Sequence, residues 1–122
     1  MKIAVTASDR SGLTAEIDPH FGRAPYFTII EPDSMAVEMV ENKAKDAAGG
    51  AGVSAAQTVV EQGVEVVIAG SFGPKAFDSL KAAGIKLYTC TKGTVKEVVE
   101  AYNNGMLSEF SLPTNQDKTG PS

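Results

Sequence analysis

Tryptophan is missing from the 122 residues, histidine and cysteine occur once each, and 11 Lys and Arg are outnumbered by 15 Asp and Glu. Each scarcity removes a class of protein. The lone cysteine, Cys90, has no internal disulfide partner, which fits a reducing compartment. One His and one Cys cannot close a structural zinc or iron-sulfur site, which generally takes four protein ligands. A net charge of −4 and a pI near 4.9 argue against a protein that tracks a phosphate backbone, so no nucleic acid is expected as partner. MKIAVTAS leads straight into strand-like sequence with neither a signal-type apolar core nor a membrane-length apolar run, so the expectation is a cytoplasmic chain without a membrane partner. No nucleophile elbow accompanies the histidine, and the first strand offers no carboxylate before Asp9. Neither a serine hydrolase nor a carboxylate-and-metal nuclease is expected, and the chain is read as not an enzyme.

What is there is a 43% hydrophobic chain of a size that buries one core. A single domain over residues 1–112 is expected, followed by a flexible tail, 113–122, that has almost no apolar side chain to bury. Lys2 to Ser8 alternates with β-branched neighbours and reads as a strand. Leu13 to Ile17 reads as a short extended piece. Tyr26–Glu31 and Ala36–Asn42 flank Pro32 and Asp33, the residues of a type I turn, and predict an antiparallel hairpin. After Gly49-Gly50-Ala51-Gly52 the period changes from two to 3.6: Val53, Ala56, Val59 and Val60 share a helical face that ends at Gly63. Val64–Gly70 is nearly all apolar, as in a central strand covered on both faces. Pro74 starts a second helix that stops at Gly84, Ile85–Cys90 is a strand, and Thr94-Val95-Lys96-Glu97 has capping-box spacing ahead of a third helix. The strands at 64–70 and 85–90 make a right-handed βαβ unit with the first strand as its parallel partner. The expectation is a mixed α/β sheet of five strands with helices on its faces.

Ligands bind such sheets outside the carboxyl ends of the parallel strands, here Ser8 to Gly12, Ser71 to Pro74 and Thr91 to Gly93. The histidine sits in IDPHFGRAP, residues 17–25, where Pro19 stiffens the loop and Gly22 permits a bend. If that loop packs at the same edge, His20 shares a shallow site with Ser71, Cys90 and the amides near Phe72 and Gly73. Arg10, Arg23, Lys75 and Lys92 then give it a cationic rim suited to an anion. Phe21 reads as a core anchor for the loop, and Cys90 as either a small hydrophobe or a soft ligand. Gly50-Ala-Gly-Val-Ser-Ala55 matches a dinucleotide fingerprint only nominally, because no strand ends just before it. It reads as a flexible lead-in to a helix, with an anion contact at the helix N-terminus as the lesser alternative.

KIAVTAS, IDPHFGRAPYFTII, VEVVIAGSFGPKAFDSLKAAGIKLY and TVKEVVEAY together resemble the nitrogenase iron-molybdenum cofactor biosynthesis family, the NifX-like domain, with HFGRAPYF as the most specific segment. The resemblance implies a ribonuclease H-like three-layer α/β/α fold without nuclease activity, and transient binding of an iron-sulfur or iron-molybdenum-type cluster passed between donor and acceptor assembly proteins. By the motif, the cluster-binding histidine is His20. Phe21, Gly22, Arg23, Arg10, Ser71 and Lys75 are the surrounding candidates, and His20 with Cys90 the candidate metal ligands. The competing reading is a regulatory or interaction domain that binds a small anion or a protein partner at the same edge. The state expected in solution is a monomer or weak homodimer, with the hairpin edge as the pairing surface.

Overall fold

β1 (Ile3–Ala7) is buried at all its positions, as a strand must be when helices cover both faces of its sheet. A computed structural model describes residues 1–46 and 49–111, so the expected tail at 113–122 lies outside the described residues. β1 is the hub. It pairs antiparallel with β2 (Tyr26–Glu31), which pairs antiparallel with β3 (Ala36–Glu41). On its other side it pairs parallel with β4 (Val66–Ala69), which pairs parallel with β5 (Lys86–Thr89). The helices are α1 (Ala51–Glu61), α2 (Pro74–Ala82) and α3 (Val95–Asn103).

The side-chain period of two divides the apolar residues between two cores. Ala4, Phe27, Val67 and Leu87 face α1 and α2, whereas Ile3, Val5, Ile30 and Ile68 face α3. Adjacent β4 residues therefore serve different helices, and for this reason the strand reads as one continuous apolar run. α3 has the expected capping box: the Thr94 hydroxyl accepts from Glu97 N–H at 3.2 Å, and the Glu97 carboxylate accepts from Thr94 N–H at 2.9 Å.

Among the described residues the sheet has six strands, not the five expected, the additional one being β6 (Ser108–Glu109), and the order is β3-β2-β1-β4-β5-β6. β6 pairs antiparallel with Thr89 and Tyr88, and Phe110 N–H donates to the Leu87 carbonyl at 2.8 Å. Two residues carry no alternation to read. The strand is held by the Phe110 ring, whose centroid lies 4.9 Å from that of Phe72 and 6.0 Å from that of Phe77. The expected extended piece at 13–17 holds only at its end, where Glu16 is bridged to Thr94 and Ile17 to Ala7. Gly12–Thr14 forms a 3-10 turn, after which Ile17 N–H donates to the Gly93 carbonyl and Val95 N–H to the Ala15 carbonyl. The hairpin loop is wider than a simple type I turn, with Met35 at φ 62° donating its N–H to the Glu31 carbonyl at 2.7 Å.

Candidate functional site

The histidine loop is laid over the carboxyl ends of β1 and β4 and is fastened residue by residue. Thr6, buried at the end of β1, binds both sides of Asp18: its hydroxyl donates to the Asp18 carbonyl at 2.6 Å, and its own carbonyl accepts from Asp18 N–H at 3.0 Å. The next fastening is on Ser71, just beyond β4. Ser71 N–H donates to the Pro19 carbonyl at 2.7 Å, and the Ser71 carbonyl accepts from Phe21 N–H at 3.1 Å. His20 is thus bridged in parallel to Ser71, and its N–H is taken by the Asp18 carboxylate at 3.0 Å. Downstream, the fully buried Asn42 donates to the carbonyls of Gly22 and Ala24 at 3.1 and 2.8 Å. Arg23 Nη1 donates to the Lys45 carbonyl at 2.8 Å. Beneath these bonds the Phe21 ring is 1% exposed and lies 5.4 Å from the rings of both Phe27 and Phe72.

Close backbone approach brings the loop and the helices together. A Cβ on Gly22 would lie 3.2 Å from the Cα of Gly52, and one on Gly52 would lie 3.1 Å from the Ala76 Cβ. The result is a cleft of about 470 Å³ lined by the His20–Arg23 segment, the Gly50–Gly52 segment, Ser71 to Gly73 and Ala76. The first turns of α1 and α2 both contribute to this wall. Neither helix has a side-chain cap or an acidic residue in its first turn. The positive ends of two helix dipoles, without a side-chain cap among the described residues, therefore adjoin the imidazole.

His20, Gly22, Arg23 and Ser71 come together as expected. Phe21 contributes to the cleft wall, but its buried ring is the core anchor of the loop and is not offered to solvent. Lys75 is exposed on α2 outside the lining, and Arg10 lies in the turn after β1, also outside it. Cys90 does not share the cleft. It packs with the α3-side core, while Phe21 packs with the α1 and α2 side, and its thiol donates to the Lys92 carbonyl at 3.3 Å. One step along β5 beyond Thr89 sends its side chain to the opposite face, which the loop composition alone did not reveal.

The contributions of Asn42, Gly52 and Gly70 escape the sequence reading. Asn42 looks like an ordinary strand-end residue, and the Gly-Ala-Gly run at 50–52 reads only as a flexible lead-in to a helix. Among the described residues, no group of three or more His, Cys, Asp or Glu could hold a metal ion. Ser71 Oγ lies 3.2 Å from His20 Nδ1, but among the described residues no carboxylate lines the cleft to orient the ring as in a hydrolase triad. Among the described residues no helix is long and apolar enough to cross a membrane.

Residues 1–105 match the family described as dinitrogenase iron-molybdenum cofactor. The apo form of the orange protein from Desulfovibrio gigas superposes with a TM-score of 0.87 at 39% identity, over 93% of this chain and 96% of that one. A Thermotoga protein described as belonging to the DUF35 family superposes with a TM-score of 0.81 at 38% identity, over 94% of this chain and 97% of that one. An uncharacterized protein of Methanocaldococcus jannaschii is 30% identical over 113 residues, which make up 90% of this chain and 92% of that protein.

Proposed function

The chain belongs to the dinitrogenase iron-molybdenum cofactor family, and from that premise we propose that it is a non-catalytic carrier of a preassembled, anionic metal-sulfur cluster. The observation that carries the reading is the convergence of His20 with the uncapped first turns of α1 and α2. Backbone N–H groups at helix N-termini favour a negative charge, and no carboxylate is among the described residues that line the cleft.

The donor set also fits a cluster better than a bare ion. His20 supplies one nitrogen, too little to fill the coordination shell of a lone cation but enough for a cluster whose sulfides already occupy most sites. The cluster would arrive as cargo, bound at one iron or other metal and surrounded by N–H donors. Arg23, anchored to the Lys45 carbonyl, adds cationic charge at the rim. A single-point hold suits transfer, because an acceptor assembly protein has one bond to replace.

The test is anaerobic incubation of the purified protein with iron and sulfide, or with a cluster-loaded assembly protein, followed by visible absorbance and metal analysis. The expected outcome is a stoichiometric chromophore in the native protein that is lost in His20→Ala. Lack of uptake by a folded native protein would overturn the carrier reading and leave the cleft as a site for a small anion or a protein partner.

A further inference from the structure

The Ser71 hydroxyl stands between a carbonyl acceptor and an imidazole nitrogen that either donates or accepts, depending on the tautomer. It lies 3.2 Å from His20 Nδ1 and 3.4 Å from the Pro19 carbonyl oxygen. A hydroxyl has one proton and two lone pairs, so the arrangement has two possible polarities. In one, Ser71 donates to the carbonyl and accepts a hydrogen bond from Nδ1–H, so that each of these three groups faces a complementary one. In the other, Ser71 spends its proton on the ring and turns a lone pair toward the Pro19 carbonyl.

Backbone geometry holds the main chain of Ser71 against the histidine loop. Ser71 N–H is committed to the same Pro19 carbonyl at 2.7 Å, and Phe21 N–H to the Ser71 carbonyl at 3.1 Å, so the residues on both sides of His20 are tied to Ser71. With the main chain so tied, the rotamer that brings Ser71 Oγ to His20 Nδ1 also keeps it within reach of the Pro19 carbonyl oxygen. With the N–H of Ser71 aimed at Pro19 from the backbone, the hydroxyl can also satisfy the second lone pair of that carbonyl.

We infer that Ser71 is a positioning residue that keeps the His20 proton on Nδ1 and so presents Nε2, unprotonated, as the ring nitrogen offered to the cleft. The Pro19 carbonyl and Ser71 hydroxyl then stand behind the imidazole as a neutral relay. Carbonyls and carboxylates behind metal-bound histidines in other proteins fix tautomer and ring orientation in the same way. The consequence for a cluster depends on the carrier reading, whereas the tautomer itself does not.

The closing experiment reads the ring directly. Long-range proton–nitrogen correlation spectra of the imidazole, recorded on the protein without cluster at a pH where the ring is neutral, are compared for the native chain, Ser71→Ala and Ser71→Thr. The expected result is a dominant Nδ1–H form in the native protein and in Ser71→Thr. In Ser71→Ala it gives way to the Nε2–H form that free imidazole side chains prefer. A native ring that is already Nε2–H, or a tautomer unmoved by Ser71→Ala, would overturn the inference. Iron and sulfide uptake on the same samples separates the two ideas. A Nδ1–H ring that depends on Ser71 in a protein that takes up no iron refutes the carrier while leaving the role of Ser71 intact.

Discussion

Pro19 rests directly on Gly70: a Cβ added at Gly70 would lie 2.6 Å from the Pro19 carbonyl oxygen and 2.9 Å from its Cα. Both contacts are with backbone, which cannot swing aside as a side-chain tip would. The last residue before Ser71 must therefore be bare for the histidine loop to seat.

Gly70→Ala is expected to lift the loop, costing about 1–3 kcal/mol, the usual range for forced overpacking. Urea denaturation reads the stability loss. Iron uptake in the still-folded fraction should fall with it, because His20 adjoins the displaced Pro19. Unchanged values of both would mean that the loop adapts freely.

Asn42 secures the other end of the loop from a fully buried position. Asn42→Ala leaves the Gly22 and Ala24 carbonyls without their donor and removes the acceptor of Ala44 N–H, 3.1 Å from Oδ1. The expected loss is about 2–4 kcal/mol, since each stranded buried polar group costs about 1–3 kcal/mol and relaxation recovers part of it. Chemical denaturation with a constant m-value is the check.

Thr28 presents the reverse case. Its hydroxyl is buried on β2, and among the described residues it has no hydrogen-bond partner. Thr28→Val replaces that oxygen by a methyl of similar shape and should raise stability by about 1 kcal/mol, by removing an uncompensated desolvation. A loss of stability on thermal unfolding would reveal a partner for the oxygen.

Thr94→Ala serves as a control away from the cleft. It removes the acceptor for Glu97 N–H and should cost about 1 kcal/mol, the typical effect of losing an N-cap. Iron uptake per folded molecule should stay at the native level, because α3 lies on the opposite face of the sheet from His20's cleft.

Alkaline stability should depend on Tyr102. Burial, then the neighbouring Tyr88 and Glu65, push its phenol above the ordinary value of 10.0. Above that value the unfolded chain has released a proton that the folded chain still holds. The unfolded state binds fewer protons there, and stability falls as pH rises from the ordinary value until the folded phenol has also ionised. Tyr102→Phe should flatten the decline between about pH 9 and about pH 11 in urea midpoints compared with the native protein. Parallel declines in the two proteins would assign the pH dependence to other groups.

Much of the architecture could be read locally because local physics decides it. The period-two run of β1, the 3.6-residue stripe of α3 and its Thr94–Glu97 capping box each depend on residues within a few positions of one another. β6 could not be read, because two residues hold no period and Phe110 fixes them through contacts with Phe72 and Phe77, distant in sequence. The candidate site divides in the same way. A lone histidine on a stiffened loop, with the family resemblance of HFGRAPYF, singled out His20.

The sequence by itself determined which residue types could do chemistry and which elements would carry them, since composition and periodicity are properties of the chain. Only the tertiary structure decided that Ser71 stands behind His20, that Gly22, Gly52 and Gly70 permit backbone contact, and that Cys90 faces the other core. Those outcomes depend on strand order and side-chain parity across β1, β4 and β5. A shift of one residue along a strand reverses the face, and pairing between segments far apart in sequence leaves no local pattern.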